Sequence, residues 1–171
     1  MKRESMIVYH GTNALFEAVD FAMSRDKRDF GQGFYSTTLY DQARTWAQNM
    51  FLRYGGGQYV YEMLFTPFEG LSIMQYDDLS VEWLEMVKEN RLSGGVQHSF
   101  DVMIGPVAND NTMRTVALYV SGIYSATMAL EQLRYFKAND QVSFHTEKSL
   151  GALRILRRID ITKPSPKGAT P

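Results

Sequence analysis

Three short stretches of this sequence combine glycine with hydroxyl, imidazole or amide side chains in a way that suits ligand binding. The first, His10-Gly11-Thr12, ends an apolar run that predicts a buried strand over residues 6–12. The others are Gly31-Gln32-Gly33-Phe34-Tyr35 and the segment entered at Asp140-Gln141. Because glycine has no Cβ, a ligand can approach the backbone N–H and C=O groups there. Taken alone, the first stretch is explained better as an ordinary strand end than as a ligand site. The presence of all three stretches in one chain calls for a common explanation.

The elements that must position these residues alternate irregularly along the chain. Apolar residues at helical spacing predict helices that begin at Thr38 and Ser80, and others over residues 112–120, 125–136 and 147–156. Alternating residues predict strands over residues 58–65, 100–104, 141–145 and 159–162. The strand over residues 141–145 places Gln141, Ser143 and His145 on one face. Short strands among irregularly spaced helices predict an α+β fold rather than a regular βαβ series.

Composition limits the classes of protein and of site. The 171 residues suit a single domain, which we expect over residues 1–162, followed by a disordered tail over residues 163–171. The absence of cysteine excludes disulfides, thiolate nucleophiles and cysteine-based metal sites, and no metal is expected. No apolar run approaches the length of a membrane span and no signal peptide is visible, so we expect a cytoplasmic protein with no membrane partner.

Taken together, the three stretches resemble the ADP-ribosyltransferase fold, in the His–Tyr–Glu branch shared by diphtheria-like toxins and poly(ADP-ribose) polymerases. In that branch a first strand ends in His-Gly-Ser/Thr, a second motif is Gly-x-Gly-[Ile/Phe]-Tyr, and a late strand begins with a catalytic residue that is usually Glu. A second stacking aromatic follows the tyrosine by eleven residues, which is Trp46 here. The resemblance implies split mixed and antiparallel β-sheets with surrounding helices.

The sequence is more closely similar to the bacterial family catalogued as domain of unknown function 3990. That family has Lys/Arg-Asp-Phe-Gly-x-Gly-Phe-Tyr, Ala-x-x-Trp-Ala, Trp-Leu, Asp-hydrophobic-x-Ile-Gly-Pro-Val-Ala and Gln-Val-x-Phe-x-Thr-Glu-Lys. Here these motifs lie in the same order at residues 28–35, 43–47, 83–84, 101–108 and 141–148. Several independent motifs in the right order are a much stronger signal than any one, and they extend to about residue 156.

The resemblance implies a role for each matching residue around NAD, which would be the substrate. His10 would hydrogen-bond a ribose hydroxyl, and the backbone of Gly11 would hold the nicotinamide carboxamide. Tyr35 and Trp46 would sandwich the nicotinamide ring, although both also suit a plain hydrophobic core. Thr12 would contact the adenosine side or only its own turn.

The charged run over residues 24–29 lies between the two glycine motifs. Such a run is usually a solvated loop, and a contact from Lys27 and Arg28 to the NAD phosphates is the alternative. Gly33 would belong to the same NAD-binding turn.

Gln141 differs from the usual residue of the His–Tyr–Glu branch, which normally has Glu at this position. An amide can hydrogen-bond the ribose but does not offer a full charge to a developing cation. Two alternatives follow for the catalytic role. Either Gln141 is sufficient by itself, or Asp140 or Glu147 supplies the carboxylate. The resembled family itself carries Gln here, which favours the first alternative. On this interpretation the catalytic residues are His10, Tyr35 and Gln141, and a Gln141→Glu change retains or raises activity.

The function implied is an NAD-dependent ADP-ribosyltransferase of a bacterial toxin–antitoxin pair. It would cleave the nicotinamide–ribose bond and transfer ADP-ribose to a macromolecular acceptor, and a small antitoxin protein would inhibit it. The alternative, motivated by the neutral Gln141, is a non-catalytic NAD or ADP-ribose-binding module. Six basic residues against one acidic residue over residues 148–171 suggest a nucleic-acid-binding protein, but the rest of the chain is acidic.

Overall fold

A computed structural model gives the fold and describes residues 3–107, 110–134 and 139–162. The chain forms two compact units that alternate along the sequence. The first unit is drawn from Met1–Val19, Tyr35–Leu71 and Glu147–Pro171, and the second from Asp20–Phe34 and Ser72–Thr146. The predicted disordered tail lies outside the described residues, and the single domain over residues 1–162 stays a prediction.

Within the described residues the fold combines strands and α-helices, which confirms the α+β prediction. The strands are β1 (Met6–Thr12), β2 (Phe34–Ser36), β3 (Tyr59–Phe65), β4 (Ile73–Gln75), β5 (Val102–Val107), β6 (Asn139–Phe144) and β7 (Leu153–Asp160). The helices are α1 (Tyr40–Tyr54), α2 (Val81–Ser93), α3 (Asp110–Val120), α4 (Ala126–Leu133) and α5 (Glu147–Leu150). A short 3-10 helix spans Phe21–Met23.

The first unit contains an antiparallel sheet with the strand order β1-β3-β7. Alternate residues of β3 are fully buried beside Val8 of β1, and they form the apolar core of this unit. The register places His10 opposite Tyr61 and Gly11 opposite Val60. Helix α1 packs against β1 through its small buried residues Ala43 and Ala47. The strand that carries His10 is therefore held by a sheet partner and a helix.

The second unit contains three strands of a mixed sheet, in the order β6-β5-β4. Strand β5 is antiparallel to β6 and parallel to β4. Gln141 lies on β6 opposite Gly105 of β5. Helix α2 begins at a cap, because the side chain of Ser80 accepts a hydrogen bond from the backbone N–H of Trp83 at 3.2 Å. The apolar residues of α2 are buried at Trp83, Leu84 and Val87, which fixes this helix in the core.

The predicted helix over residues 147–156 is wrong beyond its first turn. Helix α5 ends at Leu150, and β7 begins at Leu153 and runs for eight residues instead of the short strand expected at residues 159–162. Strand β7 pairs with β3 along its length. That pairing satisfies the backbone N–H and C=O groups that face β3, so tertiary contact overrides local helix propensity.

The predicted start of α1 also needs correction. Thr38 does not cap this helix; Leu39 occupies the cap position without a side-chain hydrogen bond. Thr37 supplies the polar contacts instead, since its hydroxyl accepts from the N–H of Leu39 and donates to Gln42 Oε1 at 3.0 Å. Among the helices in the described part of the chain, none has the length and apolarity that crossing a bilayer requires.

We predict that Gly11→Ala destabilises the first unit. A Cβ at this position would overlap the backbone carbonyl of Ala43 and lie 3.0 Å from the nitrogen of Ala47, so α1 would have to move away from β1. Overpacking of this kind costs about 1–3 kcal/mol. Urea unfolding followed by circular dichroism measures the loss.

The matched control for this change is Gly151→Ala, where the Cβ would meet only the Lys148 carbonyl oxygen at 3.3 Å. We expect a smaller loss there, below about 1 kcal/mol. Equal stability of Gly11→Ala and the parent protein would contradict the close strand–helix approach.

Candidate functional site

His10 and Tyr35 are in contact within the first unit. The ring Nδ1 of His10 lies 2.6 Å from the backbone carbonyl oxygen of Tyr35. A carbonyl oxygen only accepts hydrogen bonds, so Nδ1 carries the proton, and Nε2 of the neutral ring is an acceptor. The ring of Phe16 meets the His10 ring edge-on, with the centroids 5.7 Å apart. The imidazole is therefore fixed both in orientation and in tautomer, and a role of His10 and Tyr35 in binding NAD stays a prediction.

Gly11 and Thr12 have structural tasks in the same turn. The missing Cβ of Gly11 is what lets β1 approach the backbone of α1. The hydroxyl of Thr12 accepts a hydrogen bond from the N–H of Ala14 at 3.2 Å, and the residue is buried. Of the two alternatives for Thr12, the contact seen here is the one to its own turn. A role of either residue in holding NAD stays a prediction.

The two tryptophans differ sharply in exposure. Trp46 on α1 is 42% exposed, whereas Trp83 on α2 is fully buried. A large aromatic ring that served only the core would be expected inside, as Trp83 is. Trp46 is therefore not a fully buried core aromatic, and its contact with the nicotinamide ring stays a prediction. Tyr35 is half-buried on β2.

The Gly-x-Gly loop lies in the second unit and is held by backbone contacts. Gly31 has a positive φ of 89°, and a Cβ there would lie 2.7 Å from the Gly95 carbonyl oxygen. The N–H of Gln32 donates to the same carbonyl at 2.9 Å. A Cβ at Gly33 would meet the carbonyl oxygen of Phe144. Both glycines are thus explained by close packing of the loop, and the NAD contact of Gly33 stays a prediction.

Lys27 and Arg28 lie just before this loop. Lys27 is exposed and has an unusual positive φ of 55°, and its N–H donates to Asp26 Oδ1 at 2.7 Å. The carbonyl of Arg28 accepts from the N–H of Gly31 at 3.1 Å. The loop is therefore ordered by its own backbone, and a phosphate contact from either side chain stays a prediction.

Two histidines hold the carbonyl groups of the same loop. His98 Nε2 donates to the Phe30 carbonyl at 2.8 Å, and His145 Nδ1 donates to the Gln32 carbonyl at 2.9 Å. Nε2 of His145 then accepts from the Ser143 hydroxyl at 2.8 Å. Ser143 is fully buried, so this serine–histidine pair holds the loop and does not present a nucleophile. No partner for His98 was predicted from the sequence, since the Phe30 carbonyl lies 68 positions away along the chain.

Burial keeps both rings neutral. The pKa of His145 is lowered to about 4, mainly by burial; the hydrogen bond to Gln32 opposes the shift, and the neighbouring His98 adds to it. Burial also lowers the pKa of His98. The two rings meet edge-on with centroids 4.6 Å apart, an arrangement in which two positive charges would repel each other.

A cleft of about 320 Å³ borders the loop within the second unit. It is lined by Phe21, Ala22, Gln32, Val96 and His145. Its volume is at the lower end of the roughly 300–1,000 Å³ of small-molecule sites. Both ring nitrogens of His145 are already engaged in hydrogen bonds, so the cleft offers few polar groups that would select a ligand.

Gln141 is almost completely buried in the second unit, at 3% exposure, and its amide nitrogen is fully used. Nε2 donates to Asp29 Oδ2 at 3.1 Å and to the Pro106 carbonyl at 2.8 Å. The same carbonyl accepts from the Trp83 indole N–H at 2.9 Å. Arg91 forms an ion pair with Asp29 and also donates from Nε to Oδ1 at 3.0 Å. Gln141 is thus the end of a chain of charge-assisted hydrogen bonds.

These contacts reverse the expectation for a glutamate at position 141. A carboxylate would face the Asp29 carboxylate and the Pro106 carbonyl, which are both acceptors. Two like charges in a buried site disfavour the charged form strongly. Gln141→Glu is therefore expected to lower activity, because the surroundings of this residue are built for a donor.

The two alternative carboxylates differ in their surroundings. Asp140 lies on β6 opposite Pro106 and is half-buried. Glu147 is exposed at the first residue of α5, where an acidic side chain favours the positive end of the helix. The structural role of Glu147 thus fits well, and a catalytic role for Asp140 or Glu147 stays a prediction.

Asp29 and Arg91 are the residues that sequence reasoning missed. Asp29 is part of the segment over residues 28–35 that carried the resemblance, but its neighbours suggested only a solvated charged loop. It is in fact buried and lies 112 positions away from Gln141 in the sequence. The available signal was its place inside a motif, next to the fully buried Phe30.

We predict that acidification weakens the second unit through His145. The native pKa of about 4 lies below the ordinary value of 6.5, so the unfolded chain takes up a proton first as the pH falls. The free energy of unfolding should decrease between about pH 6.5 and pH 4, by about 1–3 kcal/mol. With Trp46→Phe as background, the fluorescence of Trp83 reports urea unfolding of this unit.

The control for this pH dependence is His145→Asn. Its side-chain amide can replace Nδ1 as a donor to the Gln32 carbonyl but does not titrate. We expect a flatter pH profile for this variant than for the parent. An identical slope in both proteins would show that another group is responsible.

Comparison with known proteins gives one match. No curated protein and no solved structure matches the chain. A family model matches residues 6–155, a range that includes His10, Tyr35, Trp46 and Gln141. The match covers most of the 171 residues and agrees with the motif order described above. The chain therefore belongs to the family described as "Protein of unknown function (DUF3990)".

Proposed function

We propose that this protein is an NAD-dependent ADP-ribosyltransferase that cleaves the nicotinamide–ribose bond and transfers ADP-ribose to a macromolecular target. The observation that carries the proposal is the fixed His10–Tyr35 contact at the end of a first strand. It joins the two motifs that define the His–Tyr branch of that fold. The exposed ring of Trp46, on the helix that packs against the same strand, adds to it.

The chemistry requires an oriented nicotinamide and a stabilised cationic ribose. Cleavage of a glycosidic bond passes through an oxocarbenium-like state. Hydrogen bonds to the ribose hydroxyls therefore become stronger as positive charge develops on the ribose. Nε2 of His10 is an acceptor in the tautomer that Tyr35 imposes, which suits a ribose hydroxyl. Aromatic faces such as those of Tyr35 and Trp46 suit a flat cationic ring.

Gln141 would contribute an acceptor rather than a charge. Its amide nitrogen is committed to Asp29 and Pro106, so its oxygen is the atom through which it can meet a ribose hydroxyl. The transfer would proceed with the acceptor group of the target attacking the ribose carbon as nicotinamide leaves. We also propose that the protein is the toxin of a toxin–antitoxin pair, with a small inhibitory partner.

The second candidate is an NAD or ADP-ribose-binding module without catalysis. The specific observation in its favour is that an amide stands where the branch usually has a glutamate. Such a module would bind NAD through Trp46 and His10 but would not release nicotinamide. Binding measured by calorimetry and nicotinamide release measured by chromatography separate the two functions.

We predict that the purified protein releases nicotinamide from NAD and that Trp46→Ala raises KM by about two- to tenfold. The reason is the lost ring contact, since a well-placed aromatic pair contributes about 0.5–1.5 kcal/mol. Trp46→Phe keeps an aromatic face and should fall between the parent and Trp46→Ala. Nicotinamide release at varied NAD concentration gives the values.

The matched control is Leu52→Ala, on the same helix and 78% exposed, which should leave KM unchanged. If Trp46→Ala and Leu52→Ala have the same KM as the parent, the ring of Trp46 does not contact NAD. If the parent binds NAD but releases no nicotinamide, the binding-module function is the better one.

We predict that expression of this protein alone arrests bacterial growth and that His10→Ala relieves the arrest. His10 is half-buried at the end of its strand, so its removal should affect the ligand more than the core. Growth curves after induction measure the effect, and circular dichroism checks that the variant is folded. Leu52→Ala should stay toxic. Equal toxicity of folded His10→Ala would reject the role given to His10.

A further inference from the structure

The hydrogen-bonded group around Gln141 draws one residue from each of four separate sequence motifs. Asp29 comes from the segment over residues 28–35, Trp83 from Trp-Leu, Pro106 from Ile-Gly-Pro-Val and Gln141 from Gln-Val. The four meet through the amide nitrogen of Gln141, which bonds Asp29 and Pro106, and the indole of Trp83, which bonds Pro106. We call these four residues, with Arg91 behind Asp29, the amide clamp.

The amide clamp leaves only one orientation for Gln141. A carboxylate and a backbone carbonyl are acceptors, so each needs an N–H from the side chain. A reversed amide would present Oε1 to both acceptors and leave its two N–H groups away from them. Arg91 holds the Asp29 carboxylate in place by a charge-assisted hydrogen bond at 3.0 Å. The direction of Oε1 is therefore fixed by Asp29 and Pro106 rather than by Gln141 itself.

The amide oxygen of Gln141, Oε1, is the hydrogen-bond acceptor that the amide clamp orients. Among the residues that the structure describes, Oε1 of Gln141 has no hydrogen-bond partner. No buried side-chain nitrogen or oxygen atom in that part of the chain lacks a partner, so this oxygen retains contact with solvent. An acceptor that is rigidly held and meets water on one side is suited to a hydroxyl donor such as that of a ribose.

We propose that Asp29 is a positioning residue for Gln141: it holds the amide nitrogen so that Oε1 is the acceptor presented to the ribose hydroxyl. This inference rests on the proposed function. Asp29 acts through Gln141 and does not itself touch NAD. It also explains why the chain has an amide at position 141, since only a donor completes the bonds to Asp29 and Pro106.

Substitutions at the two positions should therefore depend on each other. In Asp29→Asn, the new amide can bond Arg91 through its oxygen, which turns its nitrogen toward the nitrogen of Gln141. Gln141 must then reverse and lose its acceptor direction. In Gln141→Glu, two carboxylates face each other. In the double variant Asp29→Asn/Gln141→Glu, the asparagine amide donates to the glutamate, and an acceptor oxygen is restored.

The experiment measures kcat and KM for nicotinamide release from NAD in the parent, the two single variants and the double variant. We expect each single variant to lose about ten- to a hundredfold in kcat with KM changed by less than about threefold, because the ribose contact strengthens in the transition state. The double variant should regain about tenfold or more over Gln141→Glu. Urea unfolding accompanies each measurement.

A loss of kcat at nearly constant KM, in variants that unfold like the parent, separates positioning from mere stability, since a purely structural Asp29 would change the free energy of unfolding instead. A folded Asp29→Asn with the kcat of the parent would overturn the inference. So would a Gln141→Glu variant that retains or raises kcat, and this variant decides the matter if Asp29→Asn does not fold. Failure of the parent itself to release nicotinamide would instead overturn the proposed function, and the role of Asp29 in that reaction with it.

Discussion

The amide nitrogen of Gln141 lies between a carboxylate and a backbone carbonyl, and much of the second unit depends on that contact. Asp29 is buried, and Arg91 and Gln141 both donate hydrogen bonds to its carboxylate, which offsets the cost of burying it. The Pro106 carbonyl receives Gln141 and Trp83 together. Helix α2, strand β5, strand β6 and the loop before β2 are thus joined by one hydrogen-bonded group, and the loss of Gln141 removes a donor from both acceptors.

The two units are made rigid by different interactions. In the first unit, rigidity comes from a glycine that admits a helix to a strand and from a carbonyl that fixes the tautomer of His10. In the second, it comes from histidines that stay neutral and bond the Gly-x-Gly loop. His10, Gln141 and the Gly-x-Gly loop are therefore oriented by the backbone or by a buried partner, which reduces the reorganisation needed when a substrate binds.

The sequence predicted the local parts of this arrangement better than the distant ones. Alternation and turn residues were enough to place β1, β3 and α2, because those patterns arise within a few residues. They were not enough for β7, where pairing with β3 decides the conformation. Nor did they reveal the bond between Asp29 and Gln141, which joins positions 112 residues apart. Motif order indicated that these segments matter, whereas only coordinates show that they touch.

The interleaving of the two units has a consequence for the order in which the chain can fold during synthesis. Strand β1, which carries His10, pairs with β3, and β3 pairs on its other side with β7. All of residues 72–146 emerge from the ribosome before β7 does, and they belong to the second unit. The second unit can therefore assemble while the sheet of the first is still short of a strand. A nascent chain that stops before residue 153 would contain Gln141 and its partners. It would lack β7, the third strand of the sheet that carries His10.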